Sequence, residues 1–544
     1  MRKLTEIVKL QETGIEINTG RIVMLNFRRT KSRKKPSSDS LSGMTRRQFA
    51  QLLTGLGAMA LVEPHTIARA LTTDKRRLSW LASRNPSAEG AWPLTRIEGR
   101  IPKDLFGTLY RTAPGQKENH GVTLRHLFDG DAFLSGYSFR DGKAHLRARY
   151  LDLPERAEEL KAGRMLYQEF GTAPPPLPDG KRPNPNGKNQ PSVNIIEWDD
   201  RLLGLSEGGH PTAIDPVTLA YQSRWDFHGT LPQNMPFTAH PKFDPATGEG
   251  YGYGVRRGPG LPLTVYRMNR DGKLTQLYAL PQTEYPIIHD MLLSKEHIIF
   301  VIPPVHADIR RFGPGTTAAE TLRYMEKEPT RFVVLRRDGK GDPVTINQPP
   351  GFVFHHANAF ERDGKLVIDS MLTKDASVLD ALFSWSKDQL PAWSPASLTR
   401  LTLDLTKGAV ESRKEIAVSQ EFPRFDFRRT GQDARFLYTL ESPQSGDTLA
   451  FDALIRHDLH RGTSKRIAAE KGRTLGEPVF VAHPGRDQED RGWILFQGYD
   501  GSRDENYLEI RDAGTLDFVA RVWTGQHFPL GFHGNFSTTS FVSV

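Results

Sequence analysis

From about Leu78 to the C-terminus, short apolar or alternating runs recur between turn signals. Gly107–Arg111, Ala132–Phe139, Arg201–Leu205 and His297–Ile302 are four of them. Arg331–Leu335, Lys365–Asp369, Thr399–Leu405 and Trp493–Gln497 continue the series. Asp141-Gly142 and Asp338-Gly339 close two of these runs, and Asp199-Asp200 precedes a third. Apolar alternation bounded by such turns predicts hairpins and an all-β architecture. Spacing of this kind along more than 450 residues suits a β-propeller, whose radial sheets leave only short, protected edges. No strict repeat fixes the number of blades. Two stretches break the pattern. Residues 171–191 form a Pro/Gly/Asn-rich loop. Residues 376–395 read as a short helix and loop carrying Leu379, Leu382, Phe383, Trp385, Leu390 and Trp393. Those side chains either pack on the β-body or rim the mouth of a tunnel.

Composition agrees with turn-rich β-structure, since the 544 residues include 48 Gly and 38 Pro. The absence of cysteine excludes disulfides, thiolate metal sites and cysteine nucleophiles. The net charge of +9 suggests nucleic acid until it is placed along the chain. Residues 1–70 hold 13 Lys/Arg against 5 Asp/Glu, so the rest is almost neutral and no nucleic-acid partner is expected. Residues 44–70 combine Arg46-Arg47, an apolar stretch from Ala50 to Val62, and Ala68-Arg69-Ala70. That order resembles a twin-arginine export signal cleaved after Ala70, too short and glycine-containing to span a membrane. The expected partner is the twin-arginine export machinery. The expected location is the periplasm or another exported compartment, or the cytoplasm if the leader is not functional. Residues 1–43 read as a basic, disordered extension, with Met24 and Met44 as alternative starts. The domain reading is thus 1–43 extension, 44–70 signal and 71–544 propeller.

Four histidines stand apart from the chain's 17 by their context. His240, His289, His355 and His533 each lie in a strand-like segment beside small or turn residues, spread over about 300 residues. That spread excludes a local metal loop. A closed β-fold can still aim all four at one centre, where neutral imidazole is a common metal ligand. Four unconnected structural histidines are the alternative. His356 must face away from His355 if the segment is a strand. His126, His210, His297 and His483 read as hydrogen-bonded structural groups.

The surrounding motifs, in order, are GTLYRTAPG (107–115), HLFDGDA (126–132), TAHPKFDPATGE (238–249) and IIHDMLLSKEHIIF (287–300). FHHANAFE (354–361), EFPRFD (421–426), GEPVFV (476–481) and PLGFHGNF (529–536) follow. With these the chain resembles the carotenoid cleavage oxygenase family, which includes apocarotenoid oxygenases, lignostilbene dioxygenases and the retinoid isomerase of the visual cycle. The resemblance implies a seven-bladed propeller with a loop and helical cap over an axial site. It implies one iron(II) per chain, held by His240, His289, His355 and His533. It implies three carboxylates behind the ligands, Glu207 on His289, Glu421 on His355 and Glu477 on His533. Val193, in QPSVNIIEW, would neighbour the oxygen position or be a plain core valine. Ala132 replaces the last glycine of the usual FDGDG, a small change unless the backbone needs positive φ. The implied reaction inserts O2 into a conjugated double bond of a carotenoid or apocarotenoid and gives carbonyl products. No protein acid, base or nucleophile is required. The alternatives are cleavage of a stilbene, for which a phenol-binding Lys/Tyr pair would speak, isomerisation, and a non-catalytic propeller that binds an apolar polyene. Peripheral membrane contact is compatible with an apolar substrate.

Overall fold

The computed structural model describes residues 75–542 except 178, 181–186, 257–261, 312, 314, 386–389, 444–447 and 540. The export signal and basic extension expected in residues 1–70 lie outside the described residues.

Among the described residues, seven antiparallel sheets have four or more strands, and they are the blades of a seven-bladed β-propeller. One end of each sheet is formed by Asn194–Trp198, Lys242–Phe243, Leu292–Leu293, Phe352–Arg362, Gln420–Arg424, Val479–Ala482 or Gly534–Ser537. These inner strands contact one another around the axis. The burial pattern explains the sequence pattern. All eight residues of Gly107–Pro114 and all nine of Gly492–Asp500 are buried, because a mid-blade strand has a neighbouring blade on each face. Lys143–Tyr150 lies further out and alternates, burying Ala144, Leu146, Ala148 and Tyr150. Between the first and last blades, Leu109, Phe133, Tyr137 and Leu146 share one apolar cluster with Leu495, Leu508, Ile510 and Val522. Each fully buried aliphatic or Phe side chain of this kind contributes roughly 1.5–3 kcal/mol.

The ring closes twice. The C-terminal strand Gly534–Ser537 pairs antiparallel with Gly107–Pro114, so Arg111 stands opposite Gly534. The second strand, Ile97–Gly99, pairs with Phe518–Trp523. The first closure holds the segment carrying His533 against the first blade.

Two local readings need correction, and one helix went unread. Strands do not begin near Leu78: Lys75–Leu81 is a helix, and the first strand is Gly90–Leu94. Leu78 and Ala82, four residues apart, pack together with Tyr499, which is helical spacing. Pro154–Ala162 is a further helix, started by Pro154 and ended by Gly163 in the left-handed region at φ 61. It escapes a hydrophobic-periodicity reading because its buried residues are Glu155, Arg156 and Glu159. Thr399–Leu405 ends one residue early, within the strand Ser397–Asp404. Ala132 begins the strand Ala132–Arg140 and is not among the positive-φ residues, so the missing glycine costs nothing there.

Candidate metal centre

Each blade delivers one residue to the axis at or just before its inner strand. They are Val193, His240, His289, His355, Glu421, Glu477 and His533. Only His355 and Glu421 lie inside strands, Phe352–Arg362 and Gln420–Arg424. The strand-like reading of His240, His289 and His533 is therefore corrected: they sit in the segments that lead into inner strands. Pro241 has no N–H to give a ladder directly after His240. Before His533, Gly531 takes φ 67, and a Cβ there would meet Thr112 O at 2.3 Å.

The four histidines converge. One ring nitrogen from each lies within 4.8 Å of all the others. The Nε2 atoms are 3.1 Å apart for His240 and His289, 3.2 Å for His289 and His355, and 3.1 Å for His355 and His533. The opposite nitrogens meet carboxylates. His355 Nδ1 donates to Glu421 Oε2 at 2.6 Å, and His533 Nδ1 donates to Glu477 Oε1 at 2.8 Å. Glu207 Oε1 lies 2.6 Å from His289 Nδ1 but out of line with the ring N–H. These are the three pairings the resemblance implies.

With Nδ1 protonated toward a carboxylate, Nε2 of His355 and His533 carries a lone pair. Lone pairs then face one another at hydrogen-bond distance with no proton between them. That arrangement fits a cation at the common point, and the all-imidazole donor set fits a divalent transition metal. His240 is held well below the usual histidine range by burial and by the other three rings, so it too is a neutral donor. Burial also lowers His533, to about 4. Burial opposes charge on His355 as well, but the contact with Glu421 prevails and raises it.

Arg424 and Arg111 fix the carboxylate behind His533. Arg424 Nη1 donates to Glu477 Oε1 at 3.2 Å, and Arg111 Nη1 lies 3.7 Å from Oε2. Burial alone would raise Glu477, yet Arg424, His533 and Arg111 bring it to about 2. Both arginines stand in the motifs GTLYRTAPG and EFPRFD, so the signal for them was in the sequence. Phe422 was also missed. It has φ 52, which turns its N–H back onto Glu421 Oε2 at 2.9 Å, and its ring stacks over His355 at 5.2 Å. A non-glycine residue there stores about 1–3 kcal/mol of strain.

Two cavities open on this centre from the same face, both lined by Phe128, Val193, Glu207, His289 and Phe354. The narrower, about 180 Å³, is apolar, and Val378, Leu382, Trp385 and Trp393 of the 376–395 segment help to wall it. That segment contains the helix Val378–Phe383 and does form an apolar wall over the site. The wider cavity is about 690 Å³ and partly polar. Val193 thus faces space beside His289. A third cavity, about 300 Å³, approaches His240, His355 and His533 from elsewhere and is lined by Lys242, Asp290, His356 and Arg424.

His356 is outside the cluster: its Nδ1 pairs with Ser370 Oγ at 2.8 Å. The other histidines set aside are also engaged. His126 Nδ1 accepts from Phe128 N, His210 Nε2 meets Pro232 O, and His297 Nδ1 meets Glu361. His483 lies 3.5 Å from Asp104 and against Trp493.

Fold and site together define a β-propeller with four histidines gathered on its axis in an arrangement that could hold a metal ion. The family description of retinal pigment epithelial membrane protein matches residues 83–538, and the chain belongs to that family. It is 31% identical over 454 residues to the apocarotenoid-15,15'-oxygenase of Synechocystis sp., spanning 81% of this chain and 92% of that one. It is 29% identical over 475 residues to resveratrol cleavage oxygenase 1 of Aspergillus fumigatus (82% and 92%). It is also 29% identical over 439 residues to the isoeugenol monooxygenase of Pseudomonas putida (77% and 89%). The crystal structure of cobalt-substituted Synechocystis ACO superposes with a TM-score of 0.78 at 30% identity, covering 85% of this chain and 99% of that one.

Proposed function

We propose that this protein is a non-haem iron(II) dioxygenase that uses O2 to cleave a conjugated carbon–carbon double bond of a carotenoid or apocarotenoid into two carbonyl products. The observation that carries this reading is the meeting of four imidazole nitrogens at an apolar cavity. The similarity to an apocarotenoid oxygenase supports it. Iron(II), when bound, supplies the electrons that let O2 react with a closed-shell alkene, which redox-inactive zinc does not.

The chain's own part is holding and placing. His240, His289, His355 and His533 would hold one ion per chain. Glu421 and Glu477 keep the proton on Nδ1, so that Nε2 stays a neutral donor. Phe128, Phe354 and Phe532 give flat apolar walls against which a polyene lies without water. Val193 adds methyl groups and no hydrogen-bond donor beside His289. No acid or base is called for.

The relatives that cleave resveratrol or oxidise isoeugenol favour a stilbene or aryl-alkene substrate as the second reading. Among the described residues of the wider cavity, however, Lys188 is already bound by three carboxylates. Tyr253 and Tyr285 donate to Ile288 O and Val255 O. Their N–H and O–H groups are thus directed at protein oxygens and not at the cavity. A non-catalytic polyene binder would have no use for three carboxylate–imidazole pairs.

The test is anaerobic reconstitution with iron(II), then incubation under O2 with carotenoids, apocarotenoids and stilbenes. Aldehydes from one polyene double bond are expected; stilbene cleavage alone, or no cleavage, overturns the reading. We also propose that residues 44–70 direct export, supported by the order of arginine pair, apolar stretch and Ala-Arg-Ala. N-terminal sequencing of exported protein should begin at Leu71. An intact leader on cytoplasmic protein contradicts this.

A further inference from the structure

The two cavities that meet at His289 differ in chemistry, the wider one being partly polar. One runs between Leu127, Leu382 and Trp385, and the other runs to Glu169, Lys188 and Gln190. Behind the second wall Lys188, its side chain fully buried, places Nζ 2.7 Å from Asp131 Oδ1, 2.6 Å from Glu159 Oε2 and 3.2 Å from Glu169 Oε1. Arg156 Nε adds a contact to Asp131 at 3.4 Å. Asp129, close by, accepts from Gly171 N and Thr172 Oγ1.

The carboxyl groups are not equally satisfied. Glu159 Oε1 takes the backbone N–H groups of Leu166 and Tyr167, and Oε2 takes Asn119 Nδ2. Asp131 takes Gln190 Nε2 besides Lys188. Glu169 has the longest of the three lysine contacts, and its buried Oε1 makes no well-directed hydrogen bond. Its residue is only 7% exposed, yet it lines the wider cavity. Burial pushes Glu169 up to about 7, against the pull of Lys188, and Asp129 up to about 6. The wall is acidic, with four carboxyl groups against Lys188 and Arg156.

Resting on the dioxygenase reading, we infer that the wider cavity is a subsite for a neutral, hydroxylated end of the substrate, with Glu169 as its hydrogen-bond partner. The apolar cavity then takes the hydrocarbon end, and the bond between them lies beside the histidines. A hydroxyl accepts from a carboxylic acid and donates to a carboxylate, so it pairs with Glu169 in either state. An anionic end is refused, because the wall is already acidic and Lys188 is held by Asp131 and Glu159.

The test uses three synthetic polyenes of one length: an apocarotenal with a ring hydroxyl, its deoxy counterpart, and the corresponding apocarotenoid carboxylic acid. Holoprotein should favour the hydroxylated aldehyde over the deoxy one by roughly tenfold in kcat/KM, carried by KM, since the deoxy compound leaves a buried polar group unmatched. The acid should be the poorest ligand. Glu169→Gln should keep most of the preference, and Glu169→Leu should lose it. Quenching of tryptophan fluorescence in metal-free protein should give the same order of binding without chemistry. Equal affinity for the hydroxyl and deoxy compounds overturns the subsite. So does a preference that survives Glu169→Leu in a variant with a wild-type melting profile. Cleavage of both aldehydes at equal efficiency removes the subsite and leaves the dioxygenase. Failure to cleave either removes the dioxygenase, and the binding order still decides the subsite.

Discussion

Two of the polar constellations that the propeller buries lie on its axis and in the wall of the wider cavity. On the axis, four imidazole nitrogens face one another, and three of the rings are backed by Glu207, Glu421 and Glu477. In the wall, carboxyl groups surround the ammonium of Lys188. Both take charged or strongly polar groups out of water, which is costly unless each finds a partner. The wall draws its cation from the chain. The axis has Arg111 and Arg424 behind Glu477, but nothing positive where the Nε2 lone pairs meet. A polar cluster that holds its own cation supports the fold, and this one leaves Glu169 Oε1 over for a ligand. One that leaves lone pairs facing each other is a place for an ion from outside.

Four substitutions press on this difference. His355→Ala has the largest expected effect: it removes a ring that touches both His289 and His533 and leaves Glu421 without its partner. Bound metal should fall from about one per chain to near zero, with O2 uptake lost, as read by elemental analysis and an oxygen electrode. Retention of full metal would break the comparison. Lys188→Met comes next. Removing the one cation that three carboxylates share should cost about 3–5 kcal/mol in a urea melt, while folded protein still takes up metal. Loss of metal at unchanged stability would reverse the two roles. The smallest effect belongs to the carboxylates behind the rings. Glu477→Gln should weaken metal binding roughly 10–100-fold in a chelator competition. Glu207→Gln should do less, because Glu207 is 34% exposed and out of line with its imidazole, whereas Glu477 is 1% exposed. Equal losses would show that burial does not set the strength of this support.

The sequence displays the axis far better than the wall, for a physical reason. Residues that lead into inner strands are shaped by their immediate neighbours, such as Pro241 after His240 or Gly531 before His533, so they stand in short recognisable segments. The pairing of Glu421 with His355 and Glu477 with His533 came from the family resemblance, and the fold brings each pair together. Arg111 and Arg424 lay within quoted motifs, but nothing in the local pattern says which carboxylate a distant arginine meets. The wall joins Asp131, Glu159, Glu169 and Lys188 from four segments. One of these is the helix Pro154–Ala162, whose inward face is charged. Hydrophobic periodicity assigns such residues to solvent. The two-limbed cavity was hidden for a related reason, since the shape of a void follows from packing and not from pattern. The turn of Phe422 into positive φ left no trace either, because an aromatic residue gives no signal for it.

The central claim is that four imidazoles bind one metal ion. Metal-free protein titrated with iron(II) under anaerobic conditions, then studied by X-ray absorption at the iron edge, tests it most directly. The structure predicts saturation at one iron per chain with four imidazole nitrogens around it, and three in any His355→Ala protein that retains iron. Binding well below one per chain, or the same coordination in both proteins, would contradict it.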